Sequence, residues 1–396
     1  MAKNNKTLLF TLLFVGVTVI GSAQKTGYTF TDKIDIEVTS VKDQHRSGTC
    51  WSFASISFLE AELLRTGKGV YDLSEMFVVR NCYVEKAEKF VRMHGKTNFG
   101  PGGLAHDLIM VWAKYGLVPE ETYEGLTIGE EAPVHGEMDA VLSGFVEKVI
   151  TNPNRKLTPV WKEGFEGVLD AYLGDYPSKF NYKRTEFTPK NFAASLELDP
   201  DDYVTIGSFT HHPFYKPFIL EIPDNWGWNR IDNVPLNELM AVLDNALENG
   251  YTLCWDADVG EKGFNWTKGL SLIPSEQIED LSNLEQGRWS ELSERDRQAM
   301  FYDFSSPKKE MEITQEIRQQ WFDNYQTTDD HLMLITGTAV DQDGNKFYKV
   351  KNSWGDENHI YEGYFYSSET YMRAKTIFFM VHKDGVPKGI ARKLGY

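Results

Sequence analysis

The chain has 396 residues, and its 41 lysines and arginines stand against 58 aspartates and glutamates, which gives a formal net charge of −17. Such an acidic surface repels nucleic acid and anionic membranes, so no specific nucleic-acid partner is expected. Hydrophobic residues make up 41% of the sequence and aromatic residues 13%. This composition supplies a packed core and excludes a disordered chain.

The first residues have the pattern of a secretory signal peptide. Lys3 and Lys6 form a positively charged start, residues 8–20 are an apolar run, and the small residue Ala23 precedes Gln24. We therefore predict that residues 1–23 are removed and that the protein is exported, to the periplasm or by secretion. The apolar run is too short for an ordinary membrane-spanning helix, so no stable membrane insertion is expected after cleavage. An uncleaved anchor is the alternative.

The periodicity of the remaining chain predicts helices in its first part and a sheet at its C-terminal end. Helices are predicted at residues 50–66, from residue 74 onward, and at 104–115, 140–150, 158–173, 236–249 and 310–323. Strands are predicted at residues 205–210, 251–255, 332–340, 346–351, 361–366 and 376–381. Asp256 and Asp258 follow the strand 251–255 and are assigned to a turn.

The cysteines and histidines indicate neither a disulfide framework nor a metal site. Three cysteines in an exported chain of this length leave at least one free thiol, and Cys82 and Cys254 are predicted to be buried. His211 and His212 are adjacent, so their side chains are expected to point in different directions, with no carboxylate at a suitable spacing to complete a site. No metal and no cofactor is therefore predicted.

Cys50 is the candidate nucleophile. It follows a turn-forming Ser-Gly-Thr sequence and stands in the first turn of the helix predicted at residues 50–66. Unpaired N–H groups and the positive end of the helix dipole at that position favour a thiolate, which is the nucleophilic form of cysteine. A buried, unreactive cysteine is the alternative.

Three further residues complete a catalytic hypothesis. His331 precedes one predicted strand and could take the thiol proton, and Asn352 ends the next strand and could orient the imidazole without adding charge. Gln44 lies six residues before Cys50. Its side-chain amide and the backbone N–H of Cys50 are predicted to bind the oxyanion of a tetrahedral intermediate.

These residues carry a resemblance to a known family. The segment Gln44–Ala54 resembles the active-site helix of papain-like cysteine peptidases, and Asn352-Ser-Trp-Gly resembles their asparagine motif. Residues 114–119, 254–260 and 351–356 are similar to the bleomycin hydrolase and aminopeptidase C branch. The resemblance implies an α+β fold in which a helical domain and a β-barrel-like domain enclose a cleft.

The spacing fits a papain-like domain at residues 24–396 with a large insertion. Cys50 and His331 are 281 residues apart, whereas compact papain-like enzymes have about 130–150 residues between these positions. The inserted region is predicted at about residues 123–250. Gly102 and Gly103 are predicted to line the cleft and to bind extended peptide substrates through their main chain, with a plain helix-entry loop as the alternative.

The predicted function is hydrolysis of peptide bonds by a Cys-His-Asn mechanism. In the branch that the sequence resembles, a C-terminal carboxylate in the cleft holds the free amine of the substrate, which makes those enzymes aminopeptidases. The resemblance therefore implies an aminopeptidase, and it separately implies a ring-shaped homohexamer. Here the tail from His382 to Tyr396 is short and basic, so an endopeptidase is an alternative. An amine acyltransferase with the same four residues, or a silent peptide-binding scaffold, is also compatible with the sequence.

Overall fold

The computed structural model describes residues 27–276 and 293–396, so the predicted signal peptide lies outside the described residues. In these two ranges no helix combines the length and the apolar character that crossing a membrane requires. The helices are α1 (Cys50–Arg65), α2 (Glu75–Arg92), α3 (Ala105–Tyr115), α4 (Gly136–Ile150), α5 (Val160–Leu173), α6 (Pro189–Ser195), α7 (Leu236–Glu248), α8 (Glu294–Phe301), α9 (Gln315–Asp323), α10 (Glu369–Lys375) and α11 (Lys388–Leu394). The strands are β1 (Thr31–Asp35), β2 (Phe180–Tyr182), β3 (Thr185–Phe187), β4 (Tyr203–Gly207), β5 (Phe218–Ile219), β6 (Arg230–Asn233), β7 (Leu253–Ala257), β8 (Phe264–Asn265), β9 (Leu270–Ser271), β10 (His331–Val340), β11 (Lys346–Lys351), β12 (Tyr364–Ser368) and β13 (Thr376–His382).

Most strands form one mixed sheet. They follow in the order β5-β6-β4-β13-β7-β10-β11-β12-β9-β8, and β1 pairs with the second half of β10. Neighbouring strands are antiparallel, except that β4 is parallel to β6 and β12 is parallel to β9. The mixed α and β class predicted from the sequence is confirmed. The expected barrel is not closed in the described ranges, because the short end strands β5 and β8 do not pair with each other.

The sheet separates two layers of helices. Successive strand residues point to opposite faces. Cys254 and Leu332 therefore pack in the core shared with α1 to α6, whereas Trp255 and Met333 pack in the core shared with α7, α10 and α11. Helix α1 packs against β10 and β7. The N-terminal end of α1 is thus brought to the strand that begins at His331.

Residues 123–250 share the core of the rest of the chain. Helices α4 and α5 pack against α2, with Leu142 and Phe165 fully buried between them. Strand β4 pairs with β13 and extends the main sheet. The prediction that this region is an insertion relative to compact papain-like enzymes stays a prediction, but the region contributes directly to the sheet that carries the site.

The turn predicted at Asp256 is wrong. Strand β7 continues through Ala257, and Asp256 pairs with Leu332 of β10 on one side and with Phe378 of β13 on the other. Hydrogen bonding at both strand edges keeps the backbone extended beyond the apolar run that the sequence shows. The chain turns only at Asp258, whose carboxylate accepts a hydrogen bond from the Gly260 N–H at 2.9 Å.

The C-terminal tail folds back on the sheet face opposite α1. Ile390 of α11 is buried in the core that α7 shares. Lys393 pairs with Glu238 of α7 at 2.6 Å, and the Tyr396 hydroxyl donates a hydrogen bond to Asp232 of β6. The final residue is therefore anchored on the side of the sheet that α1 does not occupy.

Candidate active site

The candidate nucleophile lies at the N-terminal end of α1. Cys50 is the first residue of the helix and is partly exposed, and the preceding turn contains Gly48 with a φ of +68°. Glycine adopts this conformation without a side-chain clash, so the chain can enter the helix directly. Trp51 Nε1 donates a hydrogen bond to the Pro101 carbonyl at 2.9 Å, which ties the helix start to the glycine-rich loop.

Cys50 lies against the first residues of β10. The Leu332 backbone N–H faces the Cys50 sulfur and lowers the pKa of its thiol. Burial raises the pKa of the Cys50 thiol to about 12, and the nearby carboxyl groups of Asp329, Asp256 and Asp224 raise it as well. Burial thus opposes the thiolate that the helix end was expected to favour. The resting form of Cys50 stays a prediction.

His331 is bonded to Asn352. His331 Nε2 lies 2.7 Å from Asn352 Oδ1. The backbone N–H of Ser353 donates to the same oxygen at 2.8 Å, which supports an amide orientation with its oxygen toward the ring. A neutral imidazole that donates through Nε2 carries its lone pair on Nδ1. His331 directly precedes Leu332, whose backbone N–H acts on the Cys50 thiol. That His331 Nδ1 accepts the thiol proton stays a prediction.

The surroundings keep His331 neutral. Burial lowers its pKa to about 4, and the hydrogen bond to Asn352 opposes that effect. The Trp354 ring stacks on the imidazole with centroids 4.7 Å apart. Phe264 and Trp266 pack edge-on against Trp354 and hold it in place. The ring is thus shielded from water and can accept a proton at neutral pH.

Gln44 is held by the asparagine motif. The Ser353 hydroxyl donates to Gln44 Oε1 at 2.7 Å, and the Gln44 N–H donates to the Ser353 carbonyl at 2.9 Å. Because Oε1 already accepts a hydrogen bond, Nε2 is the end of the amide that remains to donate. The structure therefore places Gln44, His331 and Asn352 in one connected group beside the helix that begins at Cys50.

Gly102 and Gly103 are packed too closely for side chains. A Cβ on Gly103 would lie 3.0 Å from the Trp51 indole, and a Cβ on Gly102 would lie 2.7 Å from the carboxyl carbon of Asp224. The Lys86 ammonium donates a hydrogen bond to the Gly102 carbonyl. The glycine pair thus lies between the active-site helix and Asp224. That it binds the substrate main chain stays a prediction.

Three carboxyl groups that the sequence did not single out as site residues lie near Cys50, and we call them the acidic pocket: Asp224, Asp256 and Asp329. Asp256 and Asp329 are in hydrogen-bond contact, and Asp224 acts electrostatically on both. Burial raises the pKa of all three, that of Asp329 to about 7. No spacing in the sequence connects them, because they come from three separate segments.

The argument against a metal at His211 and His212 needs a correction. Both side chains face Glu221, with ring nitrogens 3.1 and 2.8 Å from its carboxylate, and this is the described group that could hold an ion. However, Gln319 Nε2 lies 3.0 Å from His211 Nδ1, and Gln319 Oε1 accepts a hydrogen bond from the Thr210 N–H. Nδ1 must therefore accept, and Nε2 carries the proton that faces Glu221. A metal needs an unprotonated nitrogen at that position, so the donor set does not suit one.

Comparisons with known proteins agree with this geometry. Residues 29–140 match the model of the papain family cysteine proteases, and residues 294–395 match that of the peptidase C1-like family. Aminopeptidase C of Lactobacillus delbrueckii subsp. lactis is 23% identical over 91% of this chain and 83% of its own length. Aminopeptidase W of the same organism is 23% identical over 93% of this chain and 86% of its own length.

A solved structure shares the fold. The crystal structure of PepW from Lactobacillus rhamnosis HN001 superimposes with a TM-score of 0.70 at 18% identity, over 92% of this chain and 84% of that one. The fold and the family matches define a papain-like cysteine peptidase. Within that class, the chain is similar to aminopeptidase C over most of its length.

Proposed function

We propose that this protein is a cysteine aminopeptidase that releases N-terminal residues from peptides. The observation that carries the proposal is the connected group of His331, Asn352 and Gln44 beside a partly exposed Cys50. The similarity to aminopeptidases C and W over 91% and 93% of this chain supports the exopeptidase assignment over an endopeptidase, an acyltransferase or a silent scaffold.

Each of the four residues has one role in the proposed reaction. His331 Nδ1 takes the thiol proton, and the Cys50 sulfur attacks the peptide carbonyl. Asn352 holds the ring during this step and stabilises the imidazolium. The Cys50 N–H and Gln44 Nε2 bind the oxyanion. The imidazolium then protonates the leaving amine, and water, deprotonated by His331, hydrolyses the thioester.

Acetylation of the substrate tests the exopeptidase assignment. We expect kcat/KM for a fluorogenic alanyl amide to fall by about 100-fold or more when its amine is acetylated, because the charged hydrogen bonds to the ammonium are lost. Hydrolysis is measured by fluorophore release, with Cys50→Ala as the blank for both substrates. Equal rates on the free and acetylated substrates would instead identify an endopeptidase. Product analysis with an added amine separates hydrolysis from acyl transfer.

Export is a separate proposal. The positively charged start, the apolar run and the small residues before Gln24 support cleavage of residues 1–23. We expect N-terminal sequencing of the protein from its native cells to begin at Gln24, and the activity to appear outside the cytoplasm. A mature chain that still begins at Met1 would contradict cleavage.

The ring-shaped hexamer is likewise a proposal from family resemblance, and light scattering of the purified protein tests it.

A further inference from the structure

An aminopeptidase must bind the α-ammonium of its substrate close to the nucleophile. The described C-terminal residues lie elsewhere: Tyr396 is held on Asp232, and α11 packs with α7 on the sheet face opposite α1. Cys50 lies on the α1 side. The candidate anions for this role are therefore those among the described residues on the α1 side.

The acidic pocket lies on the required side. Asp256 has the same orientation in β7 as Cys254, which faces the α1 core. It is paired with Leu332, whose N–H reaches the Cys50 sulfur. Asp329 is two residues before His331 and contacts Asp256. Asp256 is thus fixed beside the reacting atoms by strand pairing, and Asp329 lies next to it through their contact.

No hydrogen-bond donor among the described residues is directed at the Asp256 carboxylate. It is completely buried, and neither of its carboxylate oxygens receives a hydrogen bond from an N–H or O–H group in the described residues. A buried carboxyl group without a donor is costly, and two carboxyl groups in contact need a shared proton or a cation between them. A primary ammonium supplies a positive charge and three N–H donors, which matches this requirement.

Asp224 closes the pocket from the other side. Its carboxylate lies so close to Gly102 that a Cβ at that position would clash with it, and it accepts a hydrogen bond from Asn98 at 2.8 Å. The segment that carries it, residues 220–229, is fixed to the helical layer: Trp226 Nε1 donates to Asp107 at 3.0 Å, and the Lys89 ammonium lies 3.9 Å from the centre of the Trp228 ring. The segment therefore lies against the glycine loop at Gly102, which is predicted to bind the substrate main chain.

We propose that Asp224, Asp256 and Asp329 bind the α-ammonium of the substrate, and that residues 220–229 limit the cleft to one residue on that side. This proposal rests on the aminopeptidase function and names the residues that enforce it. It assigns the ammonium to carboxylates of three separate segments of the chain. The substrate class is a peptide with a free, protonated N-terminus.

The test compares two substrates of nearly equal shape, an alanyl and a propionyl fluorogenic amide, which differ in the amine. We expect Asp224→Asn and Asp329→Asn each to lower kcat/KM for the alanyl amide by about 10- to 100-fold, because a charged hydrogen bond is lost. The slow hydrolysis of the propionyl amide should stay the same or increase. Glu186→Gln, which removes an exposed negative charge in β3, outside residues 220–229, is the matched control and should change neither rate.

The outcomes separate this proposal from the proposed function. Wild-type protein that hydrolyses both amides equally would refute the aminopeptidase assignment itself. Wild-type protein that prefers the alanyl amide, with variants that keep the full preference, would overturn the ammonium site alone. Variants that lose both activities in parallel would also overturn it, since they indicate a structural role. The alkylation rate of Cys50 by iodoacetamide, a neutral reagent, checks that the variants retain an intact nucleophile.

Discussion

Replacement of Cys50 by alanine is expected to lower kcat/KM for the alanyl amide by about 10⁵-fold or more, to the level of the uncatalysed background. The thiol is the group that forms the covalent thioester, and water cannot replace it because the base and the oxyanion donors are arranged around the sulfur. Cys50→Ala should keep the fold, since the first turn of α1 loses a single partly exposed sulfur atom. Fluorophore release by the purified variant measures the effect.

Cys82→Ala is the matched control for this variant. Cys82 is buried in α2, within the helical core, and it takes no part in the group around His331. We expect it to reduce stability slightly through a small cavity and to leave kcat/KM within about twofold of wild type. Activity that persists in the pure Cys50→Ala protein would refute the nucleophile assignment. Mass spectrometry after limited iodoacetamide treatment should find the label on Cys50.

The core of the site could be predicted because its chemistry leaves traces in the sequence. A cysteine at a helix start, an asparagine before Ser-Trp-Gly and a histidine at a strand start are each recognisable, and together they specify a reaction. The helix starts were also predictable: Ser74 caps α2 by accepting the Phe77 N–H at 3.0 Å, as expected of a serine before an apolar run.

The protonation of the site could not be predicted in the same way. The helix dipole is readable from the position of Cys50, whereas the loss of hydration depends on how α1, β10 and the acidic pocket pack together. In the folded protein that loss is the largest contribution to the thiol pKa. The sequence therefore predicts a nucleophile, but not the raised thiol pKa that burial produces.

The acidic pocket escaped prediction for a physical reason. A carboxyl group in a doubly paired central strand is unfavourable by strand propensity and by burial, so Asp256 is more simply interpreted as a turn residue. A residue that opposes both strand propensity and burial marks a position where the tertiary structure carries a cost in folding free energy. Such positions are expected to be functional sites. Asp224 carried no signal at all, because its segment reaches the glycine loop only through long-range packing.

Loss of the base should have the second largest effect on catalysis. We expect His331→Ala to lower kcat/KM by about 10³- to 10⁵-fold, because the Cys50 thiol, with a pKa of about 12, then has no acceptor for its proton at neutral pH. Asn352→Ala should be milder, since the imidazole remains and loses only its orientation. Equal activity of His331→Ala and wild type would exclude His331 as the base.

The pH dependence of the wild-type protein gives an independent measure of the same group. Burial lowers the pKa of His331 to about 4, below its ordinary value of 6.5, so the neutral, proton-accepting ring persists as the pH falls to about 4 and is lost below it. We therefore expect kcat/KM for the propionyl amide to stay level from pH 7 to about 5 and then to fall as His331 is protonated. The propionyl amide is the right probe because it carries no ammonium, so titration of Asp329, whose pKa is raised to about 7, does not affect its binding. An acid limb near 6.5 for this substrate would show that His331 is hydrated rather than shielded by Trp354.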